Sequence, residues 1–160
     1  MSEETSRGPQ RPKVGDRLPV EEHRPTTVDL FRYSAVTWNS HRIHYDREYA
    51  REEGYPDVVV QSHLHGAYLC KVCTDWLGSG GTLVSLSNSV RRYATAGDTL
   101  RCSGQVTEVT DDPVGYRVVI DLTETRTSDD VVCAEGRAEV LIRTNPRDEA
   151  AATTKGEVQA

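Results

Sequence analysis

VVVQSHLHGAYLCKVCTDWLGSGG, residues 58–81, is the hinge of the architecture. Between Ser62 and Leu77 it holds no proline and a single glycine, Gly66. Leu64, Ala67, Tyr68, Leu69, Val72, Trp76 and Leu77 occupy positions around most of a helical turn, so the segment reads as a largely buried helix over 62–77. Gly78 can stop it, and Gly78-Ser79-Gly80-Gly81 makes the turn that follows. Beyond that turn the period changes. Residues 82–93, 99–110, 116–127 and 131–144 alternate or cluster β-branched side chains. Turn signals separate the last three runs at Asp111-Asp112-Pro113-Val114-Gly115 and Ser128-Asp129-Asp130, with Ala96-Gly97-Asp98 before them. Four long antiparallel strands in meander order are expected.

Towards the N-terminus, Tyr55-Pro56-Asp57 is a turn, and Asp46 can cap a short helix, REYAREE, that Gly54 ends. Asn39 to Tyr45 is a polar loop rich in histidine. Thr26 can cap a helix with Asp29 in its first turn. Val28, Leu30, Phe31, Ala35 and Val36 carry that helix to about Trp38. Val14 to Arg24 is extended in character, because Pro19 opposes a helix there. The order is an extended segment, helices, one long buried helix, then a run of strands. That is an α+β chain, with a curved antiparallel sheet wrapped around a long central helix.

Apolar residues make up only 36% of the 160. Residues 1–12 and 145–160 contain few of them and are expected to be flexible tails around one domain over 13–144. A thin core is one that a second copy can complete, so a homodimer is expected. The 19 basic and 25 acidic residues give a net charge of −6, which argues against a nucleic-acid partner. No apolar run approaches the roughly 20 residues of a membrane helix. The N-terminus is polar and acidic, unlike a secretory signal, so a soluble cytoplasmic protein is expected. Cys70 and Cys73 form a CxxC in an apolar stretch, without the second pair a structural zinc site needs. With Cys102 and Cys133 they read as core thiols rather than metal ligands or disulfides.

TWNSHRIHYDREYA, residues 37–50, places Asn39, His41, His44, Tyr45 and Asp46 within eight residues. Asn39-Ser40-His41-Arg42-Ile43-His44, then YDREY, then Ala50, resembles the hydratase motif of the MaoC-like enoyl-thioester hydratase/dehydratase family. That motif runs Asp-x-Asn-Pro-aliphatic-His, five residues, then Ala or Ser. VGDRLP (14–19) is similar to the family's opening strand, TVDLFRYSAVT (27–37) to its entry helix, and AGDTLRCSGQV (96–106) to the strand after its Gly-Asp turn. The similarity covers 13–144. It implies the hot-dog fold and reversible hydration or dehydration of an enoyl or 3-hydroxyacyl thioester, carried on CoA or a carrier protein, without a cofactor. The chain departs from the motif twice. Asn39 stands at the usual Asp and His41-Arg42 at Asn-Pro, as in a sub-branch of mesaconyl-CoA-type hydratases and mitochondrial hydroxyacyl-thioester dehydratases. Gln61-Ser62-His63-Leu64 stands where the family often reads His-Gly-Pro/Met-Leu.

Such a reaction needs a base that titrates near neutrality and donors aimed at the thioester oxygen. His44 suits the first role. Asn39 cannot exchange protons, but its amide can orient a water. Backbone N–H groups around Ser62 to Leu64, at the start of the central helix, suit the second role. His41, Tyr45, Ser62, His63, Leu64 and Arg91 are the expected substrate contacts. Other roles are open at this level. His44 can be a loop histidine bonded to backbone, Asn39 a helix C-cap, Asp46 an N-cap, and Arg91, Arg92 and Arg101 solvated charges. His41 and His44 have a metal-like spacing, yet no further ligand accompanies them, so no metal is expected. Three other functions compete. One is a specialised dehydratase, or an enzyme adding a nucleophile to an unusual acyl group. Another is a non-catalytic member of a hydratase pair. The third is a thioesterase, which would want a carboxylate on or near the central helix, where the sequence offers only the distant Asp75.

Overall fold

The computed structural model describes residues 11–144. The expected tail at 145–160, and the N-terminal one but for Arg11 and Pro12, lie outside the described residues. Helix α1 (Thr27–Thr37) starts in a capping box. Thr26 Oγ1 accepts from the Asp29 N–H at 3.2 Å, and Asp29 Oδ2 accepts from the Thr26 N–H at 2.9 Å. The helix ends at Trp38, which takes the left-handed conformation at φ 54°. A single 3₁₀ turn, Arg42–His44, follows. Helix α2 (Arg47–Glu52) is capped by Asp46, whose Oδ1 accepts from the Tyr49 N–H at 3.1 Å. Helix α3 spans Ser62–Leu77 and is the long central helix.

One antiparallel sheet carries the rest: β1 (Glu21–His23), β2 (Gly81–Val90), β3 (Leu100–Asp112), β4 (Gly115–Arg126) and β5 (Val131–Arg143), in the order β1-β3-β4-β5-β2. The expected four-strand meander is therefore corrected. Strands β3, β4 and β5 follow one another through short turns, but β2 pairs with β5 at the far edge, Leu83 facing Val140 and Leu86 facing Ala138. The reason lies in the β2–β3 connection. Its residues 94–96 bond to the 58–60 run, with the Val60 N–H donating to Ala94 O at 2.9 Å and the Ala96 N–H to Val58 O at 3.0 Å. This crossing returns the chain to the opposite edge, where β3 starts beside β1.

The inward side chains of the sheet meet α3. Leu69, Val72, Cys73 and Leu77 of the helix pack with Val118, Ile120, Leu122, Val140 and Ile142. Their removal from water is the main term holding helix to sheet. A second cluster of Leu30, Val58, Val60, Leu64, Leu100 and Cys133 fastens α1 and the 58–60 run to the start of α3. The inward alternation of β4 ends on a polar residue. Glu124 is fully buried and bonded through Oε1 to Nδ1 of the equally buried His65. Cys102 Sγ donates to its other oxygen at 3.6 Å. Cys73, Cys102 and Cys133 are buried free thiols and Cys70 is half-buried. Burial pushes the Cys73 thiol up to about 12 and raises those of Cys102 and Cys133.

Candidate active site

His44 sits where the 3₁₀ turn meets the 58–60 run. The Val59 N–H donates to Ile43 O at 2.9 Å, which locks the two segments together. His44 Nδ1 lies 2.7 Å from Val59 O. A carbonyl only accepts, so Nδ1 carries the proton and Nε2 keeps its lone pair. The residue is 8% exposed. Burial pushes its pKa below the ordinary imidazole value, the Val59 carbonyl pulls it partly back, and His41 lowers it further. The two rings stand 5.9 Å apart. The backbone bond expected of a loop histidine is thus present, and it leaves Nε2 free to accept a proton.

Asn39 follows the left-handed Trp38, a conformation that costs a non-glycine residue about 1 kcal/mol. The Asn39 N–H donates to Ser34 O at 3.0 Å, closing α1, and Asn39 Oδ1 accepts from the His41 N–H at 3.2 Å. The amide Nδ2 is left to donate elsewhere.

Helix α3 begins without a side-chain cap. Gln61 precedes it, but its side chain turns inward, and Nε2 donates to Leu30 O at 2.8 Å and Ser34 Oγ at 2.9 Å. The Leu64 and His65 N–H groups bond to Gln61 O. Among the described residues, the N–H groups of Ser62 and His63 meet no acceptor. They form the positive end of the helix dipole.

These parts share one cleft of about 590 Å³, lined by Asn39, His41, His44, Ser62, His63 and Arg91, with Arg92, Tyr55 and Tyr93 among the other walls. No aspartate or glutamate lines it. Two expected contacts lie elsewhere. Tyr45 leaves the 3₁₀ turn facing away from His44, and its hydroxyl donates to Ser40 O at 2.7 Å. It walls a separate apolar groove of about 410 Å³ with Phe31, Ala35, Trp38 and Asn39. Leu64 is two residues past Ser62 and so points to another side of the helix, into the second core cluster. Asp46 serves as a cap, and the Arg42 guanidinium beside it holds its carboxyl below the usual range.

Arg91 Nε pairs with Glu135 at 2.8 Å. Among the described residues, Arg92 has no carboxylate partner, and its Nη1 donates to Arg91 O at 2.8 Å. The adjacent basic pair thus divides into one neutralised and one open charge. Tyr55 and Tyr93, in edge-to-face contact at 5.3 Å, were not expected in the cleft. Nor was the burial of Glu124 expected, although its parity with Val118, Ile120 and Leu122 in β4 carried the signal. Among the described residues, no group of three or more histidines, cysteines and acids could hold a metal.

The family model of hydroxyacyl-thioester dehydratase type 2 matches residues 1–87, which include both histidines of the loop and the start of α3. The chain belongs to that family. Curated relatives match over short stretches. Mesaconyl-C(4)-CoA hydratase of Chloroflexus aurantiacus is 57% identical over 44 residues, 27% of this chain and 16% of the relative. The mitochondrial hydroxyacyl-thioester dehydratase type 2 of Saccharomyces cerevisiae is 46% identical over 37 residues, 22% of this chain and 13% of the relative. The matched stretches therefore span only a small part of those proteins. Solved structures match over most of the chain. The (R)-hydratase of A. caviae involved in PHA biosynthesis superposes with a TM-score of 0.75 at 17% identity, over 84% of this chain and 99% of that one. A chain of the ChsH1–ChsH2 complex from Mycobacterium tuberculosis does so with a TM-score of 0.74 at 22% identity, over 82% and 98%. The expected hot-dog fold is the fold of this family member.

Proposed function

We propose that the chain catalyses reversible hydration and dehydration of an enoyl or 3-hydroxyacyl thioester carried on CoA or a carrier protein. One observation carries this reading. The free Nε2 of a histidine fixed by Val59 shares a carboxylate-free cleft with the unbonded N–H groups of a helix terminus. In the hydration direction, the thioester oxygen lies against the Ser62 and His63 N–H groups. Asn39 orients a water over Cβ. His44 Nε2 takes a proton from that water as its oxygen bonds to Cβ. The electron pair of the double bond moves towards the carbonyl, where the helix terminus stabilises the enolate oxygen. His44 then returns its proton to Cα, and one water has been added. Dehydration is the reverse. The family and the activities named for its relatives support this assignment. At the mouth of the cleft, Arg92 suits a phosphate of a pantetheine arm, with Arg91 beside it.

The thioesterase alternative loses ground here. Asp75 is bonded to Lys71 on the outer face of α3, and Glu124 is buried against His65, so neither offers a carboxylate to the cleft. The test uses crotonyl-CoA and longer enoyl-CoA substrates, following loss of the enone absorbance. The expected result is turnover by the wild type and a loss of about 10²-fold or more in kcat for His44→Ala. Absence of turnover with every chain length, in both directions, would overturn the assignment. The thin core and the β2 edge, with Val84 and Val90 partly exposed, support a homodimer. Sedimentation at micromolar concentration should show it, and a strict monomer would contradict it.

A further inference from the structure

Asn39 borders two depressions. One is the cleft of His44. The other is the apolar groove of about 410 Å³ walled by Phe31, Ala35, Trp38 and Tyr45. The outer face of α1 builds most of the groove. Phe31 and Ala35 stand one helical step apart on the same face, and Trp38, just past the helix end, joins them in the wall. Tyr45 closes the side, its ring edge-on to Phe31 at 6.4 Å and 82°. Trp38 is 93% exposed and Phe31 59% exposed, whereas the inward side of α1 buries only Leu30 and Ser34. The helix thus turns its larger apolar side chains outward, a pattern that marks a contact surface. None of the residues lining the groove carries a charge.

The reaction orients a thioester across Asn39. The carbonyl is held at the Ser62 and His63 N–H groups, and the sulfur arm leaves towards Arg92, in the same cleft. Water adds at Cβ, so Cβ faces the Asn39 amide. Asn39 lines both the cleft and the groove, so a substituent on Cβ that passes Asn39 enters the groove. We infer that the groove walled by Phe31, Ala35, Trp38 and Tyr45 holds the acyl chain beyond Cβ, and that the substrates carry aliphatic rather than carboxylate-ended acyl groups. This rests on the thioester-hydratase reading of the cleft. An acyl carboxylate would meet apolar walls and no cation to pair with it.

The experiment compares kcat/KM for crotonyl-CoA, octenoyl-CoA and glutaconyl-CoA, the last being the crotonyl analogue that ends in a carboxylate. The wild type should favour octenoyl-CoA over crotonyl-CoA and disfavour glutaconyl-CoA by about tenfold or more. Ala35→Phe fills the groove from an exposed helix position and should lower the octenoyl-to-crotonyl ratio about tenfold; Trp38→Ala, which removes a wall, should lower it too. An unchanged ratio in Ala35→Phe, or glutaconyl-CoA turned over as well as crotonyl-CoA, overturns the inference while leaving the hydratase assignment standing. Calorimetry with the saturated octanoyl-CoA and butyryl-CoA separates the two claims. If no enoyl thioester is turned over, tighter binding of octanoyl-CoA that Ala35→Phe abolishes supports the groove and overturns only the catalytic assignment. Equal affinities for the two overturn the groove.

Discussion

At His44 one hydrogen bond determines what the ring can do. Donation from Nδ1 to Val59 O fixes the tautomer of the neutral ring, and burial disfavours its charged form. A base works only unprotonated, so a lowered pKa extends activity towards acid. The acid limb of kcat/KM should therefore fall at a pH below about 6.5, the ordinary imidazole value. His41 contributes to the lowering, so His41→Ala should move that limb to higher pH, measured as the inflection of the profile whatever the remaining rate. The meeting of His44 and Asn39 in one cleft was legible in the sequence, because both belong to one short motif. The placement of Tyr45 and Leu64 outside the His44 cleft was not legible. Their directions depend on a 3₁₀ turn and on the angle at which α3 begins, and neither leaves a periodic signal. The uncapped state of α3 was also invisible. Gln61 could in principle serve several neighbours, and only packing shows that its amide is spent on Leu30 and Ser34.

Among the elements, α1 is the one whose local chemistry most directly supports the site, since it ends at Trp38 and Asn39. Its start depends on the reciprocal bonds of Thr26 and Asp29. Thr26→Ala should cost about 1 kcal/mol of stability, read as a lower denaturation midpoint with an unchanged slope. This cap, the Asp46 cap, the span of α3 and all four long strands could be read locally. A cap is a bond between near neighbours, and an alternating strand shows its period without its partner. The order of the strands could not be read that way. Nothing in the 82–93 run says that β2 pairs with β5 rather than β3. That outcome depends on bonds between residues 94–96 and 58–60, which are remote in sequence.

Taken whole, the molecule is a sheet closed on one helix, with the buried His65–Glu124 pair tying the first turns of α3 to the middle of the sheet. Removing one partner strands the other without its hydrogen bond. His65→Leu should therefore cost about 2 kcal/mol or more, and the double substitution with Glu124→Leu should recover part of the loss. A denaturation series on the single and double variants measures that coupling. The thin apolar composition is consistent with this frame, because polar contacts as well as hydrocarbon hold the helix to the sheet.

The sealed thiols of that frame have a practical consequence. Alkylation requires a thiolate, and Cys73, Cys102 and Cys133 are buried with raised pKa values, which leaves the half-buried Cys70 as the accessible sulfur. A brief pulse of iodoacetamide should therefore add one label to the intact chain, and four to a chain caught with its sheet lifted from α3. The mass spectrum of the pulsed protein becomes a census of opening events, taken from sulfur atoms already in place and needing no attached probe.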